Sequence, residues 1–561
     1  MLRGVDRLGV SSEGESRPPL PPSTGGGFVA PGLGLGPRIG TSKPGLPPVR
    51  GRSAARRTSR PWIDRPFAVI DLGSNSARLV IYRSAPVGPP WSIHENKEYP
   101  RLVNELGDDG YLTRKARHSG GAAMLEFQRL LKLYGVTEVH AVATSAVREA
   151  RHGPEFAEEI QRRCGFPLRI LTSDEEARYA YLGVASALPL EKDLIMDLGG
   201  GSLQAMAVRN GRLQETLSLP LGVVRLHRKF LKHDPPKPKE LEALEDHVDK
   251  GLRSLGRLKA GRGERIIGVG GTTRSLARAL QAVREYPIAR VHGYTLRTRD
   301  LERLYSVLSE SSTEVRREMP GISSTRADII VAGLAVVLGV LHRRDADSLT
   351  VSGCGIREGI AQEVLDRTLP ATTSDMAQGS ALATLWALGM DAGHARRVRE
   401  IALNCFDTTV RFHHLEEEER LALEVAALLH DVGITLSYPD HATHSAYFLR
   451  NRPLYGLTHR GFLLASLAAG MHEGDYLSDN VAKRHPLIAS RDDLEVARIL
   501  GGMLALAESI GDSHPRPRLS LREARLRVEV SPGTPVDSRL LHRAGRWLKR
   551  SLEVTLDARE R

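Results

Sequence analysis

Two stretches of this sequence place an aspartate directly before a run of very small residues: Ile70-Asp71-Leu72-Gly73-Ser74-Asn75-Ser76 and Met196-Asp197-Leu198-Gly199-Gly200-Gly201-Ser202. In each, an apolar, strand-like segment ends on the aspartate and a tight loop follows. Small residues let backbone N–H groups approach anionic oxygens, and serine hydroxyls add donors. A carboxylate at a strand end suits a hard cation such as Mg²⁺ or Mn²⁺, the usual companion of phosphate chemistry. One such loop is as readily a plain turn. Two in register read as an internal repeat, two related lobes facing a common phosphate-binding cleft.

A third glycine segment, Gly268-Val269-Gly270-Gly271-Thr272-Thr273, follows a strand pattern and opens a helical one. Free amides at a helix N-terminus make an anion site, and Gly270 and Gly271 are candidates for it. Tight strand–helix packing explains the same glycines equally well. Both readings also apply to Ser352-Gly353-Cys354-Gly355.

The elements that must hold these loops alternate. Short apolar runs at 67–72, 79–82, 139–143, 168–171, 194–197, 266–269 and 349–351 predict strands, and helical patterns at 116–133, 154–164, 175–186 and 273–282 separate them. This predicts an α/β region divided into a first lobe over 61–190 and a second over 191–370. Residues 371–518 read as consecutive helices, and 519–561 as a small α+β tail. Residues 1–60, rich in Pro, Gly, Ser and Arg, bury too little apolar surface to offset their ordering entropy and are expected to be a disordered basic leader.

Composition narrows the class. At 561 residues the chain has room for three or four domains, and its 41% hydrophobic and 26% charged residues fit a water-soluble protein. The longest apolar run, 329–341, is too short for a membrane helix and predicts a buried one. There is no signal-peptide pattern. Three widely spaced cysteines argue against a disulfide framework or thiolate metal cluster, and a cytoplasmic location is expected. The net charge is +12, and ten Lys/Arg against three Asp/Glu in the first sixty residues supply more than half of it. That balance favours polyanionic partners. No stacking motif supports a specific nucleic-acid partner, and none supports a membrane.

The order of four stretches resembles the exopolyphosphatase/guanosine pentaphosphate phosphatase (Ppx/GppA) family of the actin-like, sugar-kinase and Hsp70 superfold. They are Asp71 to Arg78, Ala143-Thr144-Ser145-Ala146-Val147-Arg148, Ser173-Asp174-Glu175-Glu176-Ala177-Arg178, and Asp197 to Ser202. The resemblance implies a two-lobed phosphohydrolase with Mg²⁺ as cofactor, commonly a homodimer. It assigns Glu175 as the glutamate that activates water, Arg148 as a cleft arginine for the phosphate, and Asp197 as a metal- or water-positioning aspartate. Asn75, with the backbone of Gly73 and Ser74, would hold the distal phosphate. Read by itself, Glu175 also fits a helix N-terminal carboxylate, with Ser173 and Glu176 forming a capping box. Where the family typically carries a second glutamate, this chain has Gln204. Release of terminal phosphate from polyphosphate is the first expectation and guanosine pentaphosphate hydrolysis the second. A non-catalytic or weakly catalytic sensor, motivated by Gln204, is the third.

In the helical region, His394, the adjacent pair His430-Asp431, then His441, His444, His472 and Asp512 follow an order that resembles the HD hydrolase superfamily. This makes His394, His430, Asp431 and Asp512 candidate ligands of an additional divalent metal, with His444 and His472 behind them. Arg450, Arg452, His459, Arg460, Lys483 and Arg484 suggest either a groove for a long polyanion or a solvated surface.

Overall fold

From Phe67 to Ile70 the first strand is buried on both faces, because both of its alternating pairs, Phe67 with Val69 and Ala68 with Ile70, are apolar. Phe67 and Val69 join one core cluster, Ala68, Ile70 and Leu72 another. The computed structural model describes residues 65–107, 109–258, 263–474, 491–511 and 516–560. The expected disordered leader, Asp512, Lys483 and Arg484 lie outside these residues.

Strands β1 (Phe67–Leu72), β2 (Ala77–Arg83), β3 (Trp91–Glu98), β4 (Glu138–Ala143) and β5 (Leu168–Ile170) form a sheet of order β3-β2-β1-β4-β5. Strands β6 (Lys192–Leu198), β7 (Leu203–Arg209), β8 (Arg212–Leu219), β9 (Arg265–Val269), β10 (Thr295–Arg297) and β11 (Ser348–Val351) form a second, of order β10-β11-β9-β6-β7-β8. In each sheet the first strand is antiparallel to the second and parallel to the fourth. The repeat in the sequence is therefore a repeat in topology: a two-lobed, actin-like fold. The apolar run at 329–341 lies almost wholly in helix Ile330–Arg343, which is buried along most of its length.

Two helices exchange lobes. Helix Ser173–Ala185 follows the first sheet but packs on the second through Ala177, Ala180, Tyr181 and Val184. Helix Ile356–Val364 follows the second sheet but packs on the first through Ile360 and Ala361. A Cβ on Gly183 would lie 1.9 Å from the Gly355 carbonyl oxygen, and one on Gly359 1.9 Å from that of Tyr179, so only glycine permits this crossing. Residues 356–365, expected in the second lobe, accordingly pack with the first.

Helices Thr373–Ala387, Ala392–His413, Glu417–Leu429, His441–Asn451, His459–Met471 and Arg491–Ser509 build a separate core. The tail joins that core through Leu526, Val528, Trp547 and Leu548. The tail opens with two strands, Arg518–Arg522 and Arg525–Val530, because the chain reverses at Glu523 with φ of 51°. Among the described residues no helix is long and apolar enough to cross a membrane.

Candidate functional site

The two repeat loops close alike. The Gly73 N–H donates to the Ser76 carbonyl at 3.0 Å, and the Gly199 N–H to that of Ser202 at 3.0 Å. They meet face to face: a Cβ on Gly201 would lie 2.2 Å from Ser145 Oγ and 2.7 Å from Ser74 Oγ. Between them is a cavity of about 120 Å³. Its walls include Asp71, Gly73, Ser74, Asn75, Ser76, Asp197, Gly199, Gly200, Gly201, Ser202, Gly270 and Gly271, all of the residues expected to bind phosphate or Mg²⁺ there. Gly270 has φ of 100°, which only glycine adopts readily, and it caps helix Gly271–Val283, whose N-terminus opens on the cavity. Asn75 is buried, yet neither its amide nitrogen nor its amide oxygen has a hydrogen-bond partner. A side chain in that state fits a ligand.

Two expectations are corrected. The Glu175 carboxylate is not in the cavity. It caps its own helix, accepting from the Thr172 N–H at 2.9 Å while the Glu175 N–H donates to Thr172 Oγ1 at 3.2 Å. The capping partner is thus Thr172, not Ser173, and the Glu175 side chain is 41% exposed with Arg169 3.5 Å away. The next residue, Glu176, lines the cavity and is 7% exposed. One residue is about 100° of helix rotation, which carries the carboxylate from solvent into the cleft. Arg148 is the second correction. It is no wall of the cavity but lies behind Glu176, with Nη1 donating to Glu176 Oε2 at 2.7 Å and to the Leu171 carbonyl at 2.9 Å.

The electrostatics follow from burial. Desolvation pushes Glu176 up to about 7 despite Arg148, and the charges of Asp197 and Asp71 push it the same way. Asp197 is pushed up to about 6 by burial, against the pull of Arg274 and with a push from Asp71. Burial also raises Asp71, against Arg357 and Arg78. A divalent cation would relieve the crowding of these two carboxylates, so Asp71 and Asp197 fit Mg²⁺ by charge and by oxygen chemistry. Burial and mutual repulsion lower Arg78 to about 9, Arg274 to about 10 and Arg326 to about 10. Lys97 beside them falls to about 6. Arginine charges crowded together in this way call for an anion.

Sequence reasoning missed Glu176, Arg78, Arg274, Arg326 and Arg357, all of which line this cavity. For Glu176 a signal existed: its helical neighbours four and seven residues on are Ala180 and Gly183, whereas Glu175 is followed at three by the exposed Arg178. Arg78 pairs with Asp71 across the hairpin just as Gln204 pairs with Asp197. Gln204 is buried, its Nε2 3.4 Å from Glu176 Oε2 and its Oε1 unpartnered.

A second cavity, of about 750 Å³, shares Arg78, Arg274 and Arg357 with the first and extends toward helix Thr373–Ala387. Arg278, Arg290, Arg367 and Arg452 also line it. Arg290 Nε and Nη2 and Arg452 Nε have no hydrogen-bond partner. Of the described basic residues expected to line a groove (Arg450, Arg452, His459 and Arg460), Arg452 alone lines this cavity. Arg460 is bound by Glu418, Glu419 and Asp493, and His459 by Tyr286 and the His292 carbonyl.

The metal candidates of the helical region converge. His394, His430 and Asp431 come together with Glu508, and Asp431 also with His441 and His472. His444 belongs to neither group, and Glu508 is the residue that the sequence reading did not name.

Residues 80–368 match the Ppx/GppA phosphatase family, and residues 379–506 match domain III of Ppx/GppA phosphatase. Among solved structures, the Ppx/GppA family member of Aquifex aeolicus is 32% identical, over 54% of this chain and 98% of its own, with a TM-score of 0.47. An exopolyphosphatase from Cytophaga hutchinsonii is 26% identical, over 54% of this chain and 98% of its own, with a TM-score of 0.50.

Proposed function

Because this chain belongs to the Ppx/GppA phosphatase family, and so is a phosphoanhydride hydrolase, we propose that it releases terminal orthophosphate from inorganic polyphosphate with Glu176 as the general base. The observation that carries this reading is the Glu176 carboxylate, buried at the meeting point of two phosphate-sized loops with its pKa near 7. A base of that strength accepts a proton at neutral pH and is still half ionised there.

The terminal phosphoryl group sits between the loops, contacted by the backbone of Gly73, Ser74, Gly199, Gly200 and Gly201 and by the Asn75 amide. Arg148 fixes one oxygen of Glu176. The other is free to take a proton from water as the water oxygen bonds to phosphorus and the bridging anhydride bond breaks. Asp71 and Asp197 would hold Mg²⁺, which when bound supplies positive charge to the phosphoryl oxygens. Arg78, Arg274 and Arg357 receive the charge that gathers on the leaving chain.

A long substrate is favoured over a nucleotide by the second cavity. It shares Arg78, Arg274 and Arg357 with the first, adds Arg278, Arg290, Arg367 and Arg452, and is about six times its volume. Purified protein with Mg²⁺ should release phosphate faster from long polyphosphate than from tripolyphosphate or guanosine pentaphosphate, assayed in parallel. Faster turnover of guanosine pentaphosphate would assign the site to the nucleotide. Binding without release from any of the three would make the protein a sensor.

A further inference from the structure

The short helix Ser145–Glu149 serves the cleft through more than Arg148, which grips Glu176 from behind. Ser145, three residues earlier, is itself a wall of the first cavity and only 2% exposed. Its hydroxyl proton is committed elsewhere. Oγ donates to Glu149 Oε1 at 2.8 Å, and Glu149 Oε2 is paired with Arg225 Nη2. Arg225 reaches across from the second lobe, where its Nε also donates to the Gly201 carbonyl at 3.2 Å.

A serine hydroxyl has one proton to give and two lone pairs. A carboxylate held by a guanidinium only accepts, so Glu149 keeps the Ser145 proton turned toward itself. What Ser145 offers the cavity is lone-pair density, and among the described residues no group donates to it. Ser74, beside it against Gly201, is arranged the other way. Its Oγ accepts from the Ala146 N–H at 3.1 Å, which leaves its proton for an anion. A lone pair is the wrong face for a phosphoryl oxygen, which brings no proton to share. Of the species that hydrolysis brings into the cavity, water is the one that can donate to Ser145.

We propose that Ser145 is a water-positioning residue: its Oγ accepts one hydrogen bond from the water whose other proton passes to Glu176. On the phosphohydrolase reading, which this presumes, both protons of the attacking water are then directed and its lone pair is left to face phosphorus. As the water oxygen bonds to phosphorus, the bridging anhydride bond breaks and its electron pair leaves with the shortened chain. One proton goes to Glu176. The other stays on the new orthophosphate oxygen, hydrogen-bonded to Ser145 Oγ, and the serine neither gains nor loses a proton. Arg148 and Glu149 are neighbours in one helix, so a single element of the fold sets both acceptors. Glu149 and Arg225 are positioning residues that act through the serine.

The test is phosphate release from tripolyphosphate by the full-length protein with Mg²⁺, with kcat and KM separated. Ser145→Ala should lower kcat about 10- to 100-fold and leave KM within about twofold, since the lost bond goes to water and not to the substrate. Glu149→Gln should lower both constants. Its amide oxygen stays on Arg225, because a guanidinium only donates, and its amide nitrogen turns to Ser145 Oγ. The serine proton then swings toward the phosphoryl oxygens, so kcat should fall about tenfold while KM falls about threefold. A serine that merely supports the loop would raise KM in both variants, and that result overturns the proposal. So does a Ser145→Ala protein with unchanged kcat, or one whose kcat recovers at raised Mg²⁺, which would make the serine a cation ligand. No release by the unsubstituted protein, in contrast, overturns the phosphohydrolase reading itself and this role with it.

Discussion

Exchanging one glutamate for glutamine at two adjacent positions separates the cleft chemistry from helix capping. In Glu176→Gln the amide keeps the shape of the protonated acid but cannot accept a proton, so kcat should fall about 10²- to 10⁴-fold. Stability should move the other way. A carboxyl raised from 4.5 to about 7 by burial costs about 3 kcal/mol to ionise in place. Because its folded-state pKa is raised, Glu176 contributes stability below pH 4.5 and loses that contribution as pH rises through about 7. Glutamine does not titrate. The melting temperature of Glu176→Gln relative to the unsubstituted protein should therefore climb from pH 5 to pH 8, toward a ceiling of about 3 kcal/mol. Glu175→Gln should do neither: glutamine preserves the capping-box hydrogen bond to the Thr172 N–H, and turnover should stay within about twofold. Phosphate release from polyphosphate and thermal melts at the two pH values read both effects. Loss of turnover in Glu175→Gln with retention in Glu176→Gln refutes the placement of the base.

Since Glu176 must be ionised to act, kcat/KM should fall about tenfold per pH unit below about 7 and level off above it. Gln204→Glu puts a second carboxylate beside Glu176 Oε2, so the midpoint of that profile should rise by about one pH unit. Gly201→Ala drives a methyl group into Ser145 Oγ and Ser74 Oγ, wedging the loops apart, and kcat/KM should drop about 100-fold, with a modest loss of melting temperature. Replacing Arg290 and Arg452 together by Ala should raise KM for long polyphosphate about tenfold and leave that for tripolyphosphate unchanged. The same difference between the substrates should shrink as salt is added.

The sequence alone determined the parts whose causes are local. An apolar run ending in aspartate and a small-residue loop is written in consecutive residues. Both repeats were therefore visible, and with them the lobed fold and the glycines, serines and aspartates that line the cleft. The edge strands Trp91–Glu98 and Arg212–Leu219 went unpredicted because partly exposed edges carry polar residues that blur the alternation. Tertiary structure decided the rest. Glu176 rather than Glu175 reaches the cleft because the buried stripe of their helix lies on the second sheet, which fixes the rotation of the whole helix. Arg148 became its partner, and Arg274, Arg326 and Arg357 converged from separate elements, as did Glu508 on Asp431. Sequence spacing carries no record of such meetings, because the angles at which helices and sheets pack are set by side chains hundreds of residues apart.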